Sequence, residues 1–204
     1  EVLKIDQSFV RGVLDQPDDL SILDGILGLA KAFRRRVIAE GVETFAHCEM
    51  LLRLGCDLAQ GYAIARPMPA DQVPGWVATW RPEPSWKTLQ PIGRDDLPTV
   101  TAWVEHRAWV KQVVDFLNAD TAHPPALQPE ACRLGEWLSS STTMFHDGHS
   151  GPADLLRLHE EIHELAGQLI ALKQQGHADL AASRLPILYG LRDRLLARLM
   201  ALLP

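Results

Sequence analysis

Along the first eighty residues, short apolar runs alternate with longer stretches in which apolar positions recur every three or four residues. Val2-Leu3-Lys4-Ile5-Asp6 is a strand-like run. From Leu20 the residues Ile22, Leu23, Ile26, Leu27, Leu29 and Ala30 share one helical face. Asp18 and Asp19 suit the first turn of that helix, and Lys31 with Arg34 to Arg36 suit its last, as the helix dipole prefers. Val37-Ile38-Ala39 predicts a second strand ending at Glu40-Gly41. Ala46 to Leu54 predicts a second helix closed by Gly55, and Cys56 to Ile64 a third strand closed by Arg66-Pro67. Strand, helix, strand, helix, strand predicts a parallel βαβ arrangement.

From Trp80 to Pro98 no period survives, and Pro82, Pro84, Pro91 and Pro98 are spaced by polar residues, which predicts a linker. Beyond Thr99 the texture changes to long amphipathic patterns without a strand signal, over residues 99–118, 128–141, 152–175 and 178–202. Breaks fall at Pro124-Pro125, from Asp147-Gly148 through Pro152, and at Gly176. Four helices with short connections predict a four-helix bundle. The expected organisation is an α/β part at 1–81, a linker at 82–98 and an all-α part at 99–204.

Composition narrows the classes of function. The chain has 204 residues, 47% of them hydrophobic and 23% charged, an ordinary globular balance that excludes disorder, collagen and coiled coil. A net charge of -6 lacks the positive field that holds phosphates of nucleic acid or anionic lipid, so no nucleic acid polymer is expected as partner. No apolar stretch reaches the roughly 18 to 20 residues that cross a bilayer, and the opening residues lack the layout of a signal peptide. The expectation is a cytoplasmic chain without membrane insertion. Three cysteines, Cys48, Cys56 and Cys132, are too few for a disulfide scaffold and read as thiols or ligands. The chain opens at Glu1 almost directly on a strand, as if cut from something longer.

In βαβ sheets and barrels the chemistry sits at the carboxyl ends of the strands, and this half places its charges there. Lys4 and Asp6 sit on and just after the first strand, Glu40 and Glu43 follow the second, and Gln60 lies in the third. Lys4 and Asp6, two residues apart on a strand, share a face. Spacing alone leaves two readings open: a reactive cluster, or a solvated strand end beside a helix N-terminus.

The segments themselves carry more. Leu3-Lys4-Ile5-Asp6-Gln7-Ser8-Phe9-Val10, then Val37-Ile38-Ala39-Glu40-Gly41-Val42-Glu43-Thr44, then Gln60-Gly61-Tyr62 followed by Arg66-Pro67-Met68-Pro69 closely resemble, in order and spacing, the last three signature segments of EAL-domain cyclic-di-GMP phosphodiesterases. The resemblance covers about residues 2 to 78. It implies the C-terminal portion of a (β/α)8 barrel, cyclic-di-GMP as ligand, and magnesium or manganese as the barrel metal. It also implies that Lys4 lies beside the attacking water, that Asp6 helps shape the substrate site, and that Glu40 is the general base. Glu43 would hold the substrate-binding loop, and Gln60 would contact the substrate. Such roles suit a phosphodiester cleaved by metal-activated water, with a carboxylate accepting its proton.

The sequence departs from that family in one respect. The Glu-Ala-Leu segment, the metal-binding asparagine and glutamate, and the Asp-Asp-Phe-Gly segment all precede the KID segment in the family, and none is present. A (β/α)8 barrel takes about 200 to 250 residues, so the first 81 supply only its last three or so strands. The expectation is that these 204 residues by themselves do not hydrolyse cyclic-di-GMP.

In the helical half His159 and His163 are four apart and project from one helical face. By itself such a pair is either a metal clamp or two ordinary surface or core residues. Cys132 near the start of the second helix and His106 in the first complete three imidazoles and one thiolate, a tetrahedral set for zinc. His106 followed by Trp109, Cys132-x-x-Gly135-x-Trp137, and His159-x-x-x-His163 resemble the CZB family, zinc-binding four-helix bundles attached to bacterial chemoreceptors and cyclic-di-GMP enzymes. The cover is about Thr99 to Leu202. By this analogy His106, Cys132, His159 and His163 are the zinc ligands, and the domain senses zinc or oxidants that attack the thiolate; a closed zinc site can also serve folding alone. Both families tend to dimerise, which implies a homodimer.

Other candidates are weaker. His146 and His149 flank Gly148 and read as solvated loop residues, Cys48 and Cys56 as buried small apolar residues, and Trp76, Trp80 and Trp86 as packing at the domain junction. The expected function is a cyclic-di-GMP phosphodiesterase regulated by a zinc-binding sensor. The alternative is a non-catalytic zinc- or redox-sensing, or cyclic-di-GMP-binding, module with a degenerate barrel.

Overall fold

The structure, a computed structural model, describes residues 2–118, 123–129, 132–141 and 151–203. They form two compact units, one reaching to Gly93 and the other running from Arg94 to Leu203. His146 and His149 lie outside the described residues.

In the first unit β1 (Val2–Ile5) leads into α1 (Gln7–Gly12) and α2 (Pro17–Ala32). Then come β2 (Arg36–Glu40), α3 (Phe45–Arg53), β3 (Ala59–Gln60) and α4 (Val73–Thr79), with 3-10 turns at Ala70–Gln72 and Pro84–Lys87. The three strands make one sheet in the order β1-β2-β3, every pair parallel. Leu3 stands beside Val37, Ile5 beside Ala39, and Glu40 beside Gln60. Ile5 and Ala39 are buried with Val10, Leu20 and Leu23 of α1 and α2, which pack on the sheet, and Met50 and Leu51 of α3 are buried too. Parallel strands bring their carboxyl ends to one edge, so Asp6, Glu40 and Gln60 arrive together although more than fifty residues separate the first from the last.

Several local features differ from expectation. Helix α1 starts immediately after β1 because Asp6 caps it: the Ser8 backbone N–H and hydroxyl both donate to Asp6 Oδ1, at 2.8 and 2.7 Å. The third strand is two residues long, not nine, because the chain turns at Gly61, whose carbonyl accepts from the N–H groups of Ile64 and Ala65. Helix α3 ends where Gly55 was expected to end it, and Gly55 has φ of 83°, the left-handed conformation of a C-cap. The proline-rich stretch is partly ordered against α3: Trp86 meets Phe45 edge to face with centroids 5.7 Å apart, and the Ile92 N–H donates to the Arg53 carbonyl. Trp76 and Trp80 pack on each other, at 5.7 Å.

The second unit consists of α5 (Leu97–Leu117), α6 (Arg133–Ser141), α7 (Gly151–Gln174), α8 (Ala178–Ser183) and α9 (Leu185–Met200). Helix α5 packs on α6, α7 and α9, and α7 packs on α6, α8 and α9. Its apolar core includes Val100, Val104, Leu134, Ile162, Leu169, Leu195 and Leu199. The single helix expected over 178–202 is interrupted at Arg184. Pro186 in the first turn of α9 supplies no N–H to a preceding turn and disfavours a helical residue before it. Among the described residues no helix is long and apolar enough to cross a membrane.

Candidate metal centre and strand-end cleft

At the carboxyl ends of the strands a cleft of about 410 Å³ is lined by Asp6, Gln7, Arg11, Glu40, Gly41, Glu43, Gln60, Gly61 and Tyr62. Four of the five residues singled out in this half therefore line one cavity. The fifth, Lys4, is exposed and pairs with Glu40 through its Nζ. Arg11, which the sequence reading overlooked, reaches from α1 to Glu43, with Nη2 3.0 Å from Oε1. Its signal lay in the spacing: Arg11 follows the Asp6 cap by five residues, which places it in the last turn of α1. The Asp6 carboxyl is held below its usual range, first by the Ser8 backbone N–H and then by the Ser8 hydroxyl. Three carboxylates and two amides lining one cleft can accept protons and hydrogen bonds from a ligand. Among the described residues of this unit no three potential metal ligands converge.

The second unit holds a different chemistry. His106 on α5 and His159 and His163 on α7 are buried, and one ring nitrogen from each lies within 4.8 Å of the others. His106 and His159 are fully enclosed at 0% exposure, and both nitrogens of both rings are without a hydrogen-bond partner. An unsatisfied buried polar group costs about 1–3 kcal/mol, so four such atoms in one pocket are expensive unless a ligand engages them. Burial, and then the neighbouring rings, push His106 well below the ordinary imidazole range; burial and His163 bring His159 down to about 3. Both of these rings are consequently held toward the neutral form, the form that binds metal.

His163 is oriented from outside the cluster. Its Nδ1 lies 2.9 Å from the Leu127 carbonyl oxygen, which can only accept, so Nδ1 carries the proton and Nε2 the lone pair. Cys132 stands at the start of α6, outside the three-histidine triangle. Burial raises its thiol, opposed by the N–H groups of Leu134 and Gly135 facing the sulfur. An ion pair of 3.1 Å between Arg133 and Glu105 joins the residue after Cys132 to the residue before His106. The three buried imidazoles, with both ring nitrogens of His106 and His159 orphaned, fit a zinc ion by donor chemistry.

A parallel strand-and-helix unit with charges at its strand ends, followed by a helical unit with a buried histidine cluster, defines a two-part protein. Residues 1–67 match the family model of the EAL domain, and residues 106–170 that of the chemoreceptor zinc-binding domain. The first unit is therefore similar to the EAL domain and the second to the chemoreceptor zinc-binding domain, each over the residues matched. It is 40% identical over 80 residues to the oxygen sensor protein DosP of Escherichia coli, covering 39% of this chain and 10% of that protein. It is 43% identical over 76 residues to the bifunctional diguanylate cyclase/cyclic di-GMP phosphodiesterase MucR of Pseudomonas aeruginosa, covering 37% and 11%. A cyclic di-GMP phosphodiesterase of Pseudomonas aeruginosa is 40% identical over 75 residues, covering 37% and 13%. The chain thus spans about a tenth of the length of these curated relatives.

Proposed function

We propose that the complete protein is a cyclic-di-GMP phosphodiesterase whose activity is set by zinc bound in the helical unit, a four-helix bundle of the chemoreceptor type. Support for the enzyme comes from Asp6, Glu40, Glu43 and Gln60 sharing the strand-end cleft and from relatives named for that activity. In this reading Glu40 takes the proton of the attacking water, Lys4 beside it offsets developing negative charge, Glu43 with Arg11 holds the loop after β2, and Asp6 and Gln60 contact the dinucleotide. The 204 residues by themselves are, in this reading, expected not to turn over cyclic-di-GMP. The sensor reading rests on one observation above all, the convergence of three buried imidazoles, those of His106 and His159 with both nitrogens orphaned. His106, His159, His163 and Cys132 would hold zinc, which supplies a closed coordination centre linking α5, α6 and α7. A homodimer would let a change in that centre reach a paired barrel.

The test measures cyclic-di-GMP hydrolysis by the protein expressed from its complete reading frame and by the 204-residue chain, each with magnesium or manganese, before and after zinc is stripped by a tight chelator. Turnover by the complete protein that changes on stripping, with none by the short chain, is expected. Absence of turnover in both would favour the second reading, a zinc- or redox-sensing module on a barrel without activity. That reading draws on the lack of a three-ligand metal cluster among the described residues of the first unit.

A further inference from the structure

Trp109 lies one helical turn beyond His106 on α5 and is not itself a candidate ligand. Its indole stacks on the His163 imidazole with ring centroids 4.0 Å apart and planes inclined by 22°. The same indole lies 5.6 Å from the His106 ring. Its Nε1 donates to the Ala126 carbonyl at 2.8 Å, and the next carbonyl along the chain, that of Leu127, accepts the proton of His163 Nδ1 at 2.9 Å. Two consecutive backbone carbonyls thus fix the two stacked rings in place, one each.

The consequence concerns the freedom of a ligand. A histidine side chain turns about two bonds, and its ring carries a proton on either nitrogen. For His163 the Leu127 carbonyl selects the nitrogen, and the indole covers one ring face and so limits rotation of the ring plane. The Ala126 bond in turn keeps the indole from sliding, and it anchors the segment that leads within six residues to Cys132.

We propose that Trp109 is a positioning residue of the metal centre, holding His163 with its Nε2 lone pair toward His106 and His159, and tying the Ala126–Leu127 segment to that geometry. The inference rests on the zinc reading above and deepens it. Partners that orient a ligand histidine typically change metal affinity by about tenfold to a hundredfold when removed.

The experiment uses the 204-residue chain with Trp109→Leu and Trp109→Phe. Zinc affinity is measured by competition with a chromophoric chelator, cobalt(II) is loaded in place of zinc to read the visible absorption of the site, and helix content is followed by circular dichroism. Trp109→Leu is expected to weaken zinc by about tenfold to a hundredfold and to alter the cobalt bands at unchanged helix content. Trp109→Phe keeps a stacked ring and loses the Ala126 bond, so it should recover part of the affinity. Wild-type affinity and cobalt bands in Trp109→Leu would overturn the assignment while leaving the zinc reading intact; a wild-type chain that binds no zinc would overturn both. Should Trp109→Leu lose its helix content, Trp109→Phe decides alone, and affinity and bands equal to wild type would count against the proposal.

Discussion

Gly135 of α6 lies directly against His159 of α7: a Cβ at position 135 would stand 3.2 Å from His159 Cε1 and would run into the Pro129 carbonyl. Only a residue without a side chain lets α6 approach the histidine cluster this closely. Gly135→Ala gains about 1 kcal/mol of helix propensity, but it forces a backbone carbonyl and a buried ring apart, an overpacking that costs about 1–3 kcal/mol. The expected outcome is a lower melting temperature of the helical unit and weaker zinc binding. Calorimetry and chelator competition check both, and an unchanged melt with unchanged affinity would show that α6 can retreat freely.

Cys132 is proposed as the fourth donor; it stands one turn before Gly135 and is not among the three residues whose ligand atoms converge. Cys132→Ala is expected to lower zinc affinity sharply while helix content is retained, since the residue is only half-buried and removes no core volume of consequence. Zinc retention equal to wild type would remove Cys132 from the ligand set.

Removing the metal should be felt as stability. A ligand bound only to the folded state stabilises it by about 4 kcal/mol at a thousandfold excess over its Kd. For a unit of about a hundred residues each kcal/mol moves the melting temperature by roughly 4–8 °C. Stripping zinc from the loaded chain is expected to lower the helical unit's transition by tens of degrees at most and several at least. A transition indifferent to the chelator would argue that the three imidazoles hold nothing.

The buried thiol of Cys48 gives a prediction in the other unit. Burial first, then the Glu49 carboxylate, pushes it up to about 11 from an ordinary value near 9. Below pH 9 the thiol is protonated in both the folded and unfolded chain. Above it the unfolded chain loses the proton while the folded one keeps it, so this group's contribution to stability falls as pH rises from about 9 to 11. At pH 8 about one folded molecule in a thousand carries the thiolate, which is the reactive form. Timed alkylation followed by mass spectrometry should label Cys48 far more slowly in the native chain than in urea; equal rates would contradict its burial.

How much of this was written in the sequence can be judged residue by residue. The period of apolar positions announced β1, β2, α2 and α3, because alternation and three-to-four spacing are properties of a single element. Strand polarity followed from the intervening helices, and with it the gathering of Asp6, Glu40 and Gln60 at one edge. The His159 and His163 pair was legible for the same reason, being one turn apart on one helix. Helix α1 was hidden because its cap, Asp6, read equally well as a strand-end charge. The interruption at Arg184 was missed because the apolar period runs on through Pro186.

Only the tertiary structure decided what depends on contacts between elements. Periodicity says which face of α5 is buried, but not that His106 on that face meets His159 and His163, nor that Arg11 reaches Glu43 across thirty-two residues. It gives no hint that two backbone carbonyls at Ala126 and Leu127 orient Trp109 and His163, since a carbonyl belongs to every residue alike. The sequence by itself determined the elements and the kinds of donor available; packing of α6 and α7 on α5 determined which donors share a pocket, because proximity between distant residues is set by how apolar faces close on each other.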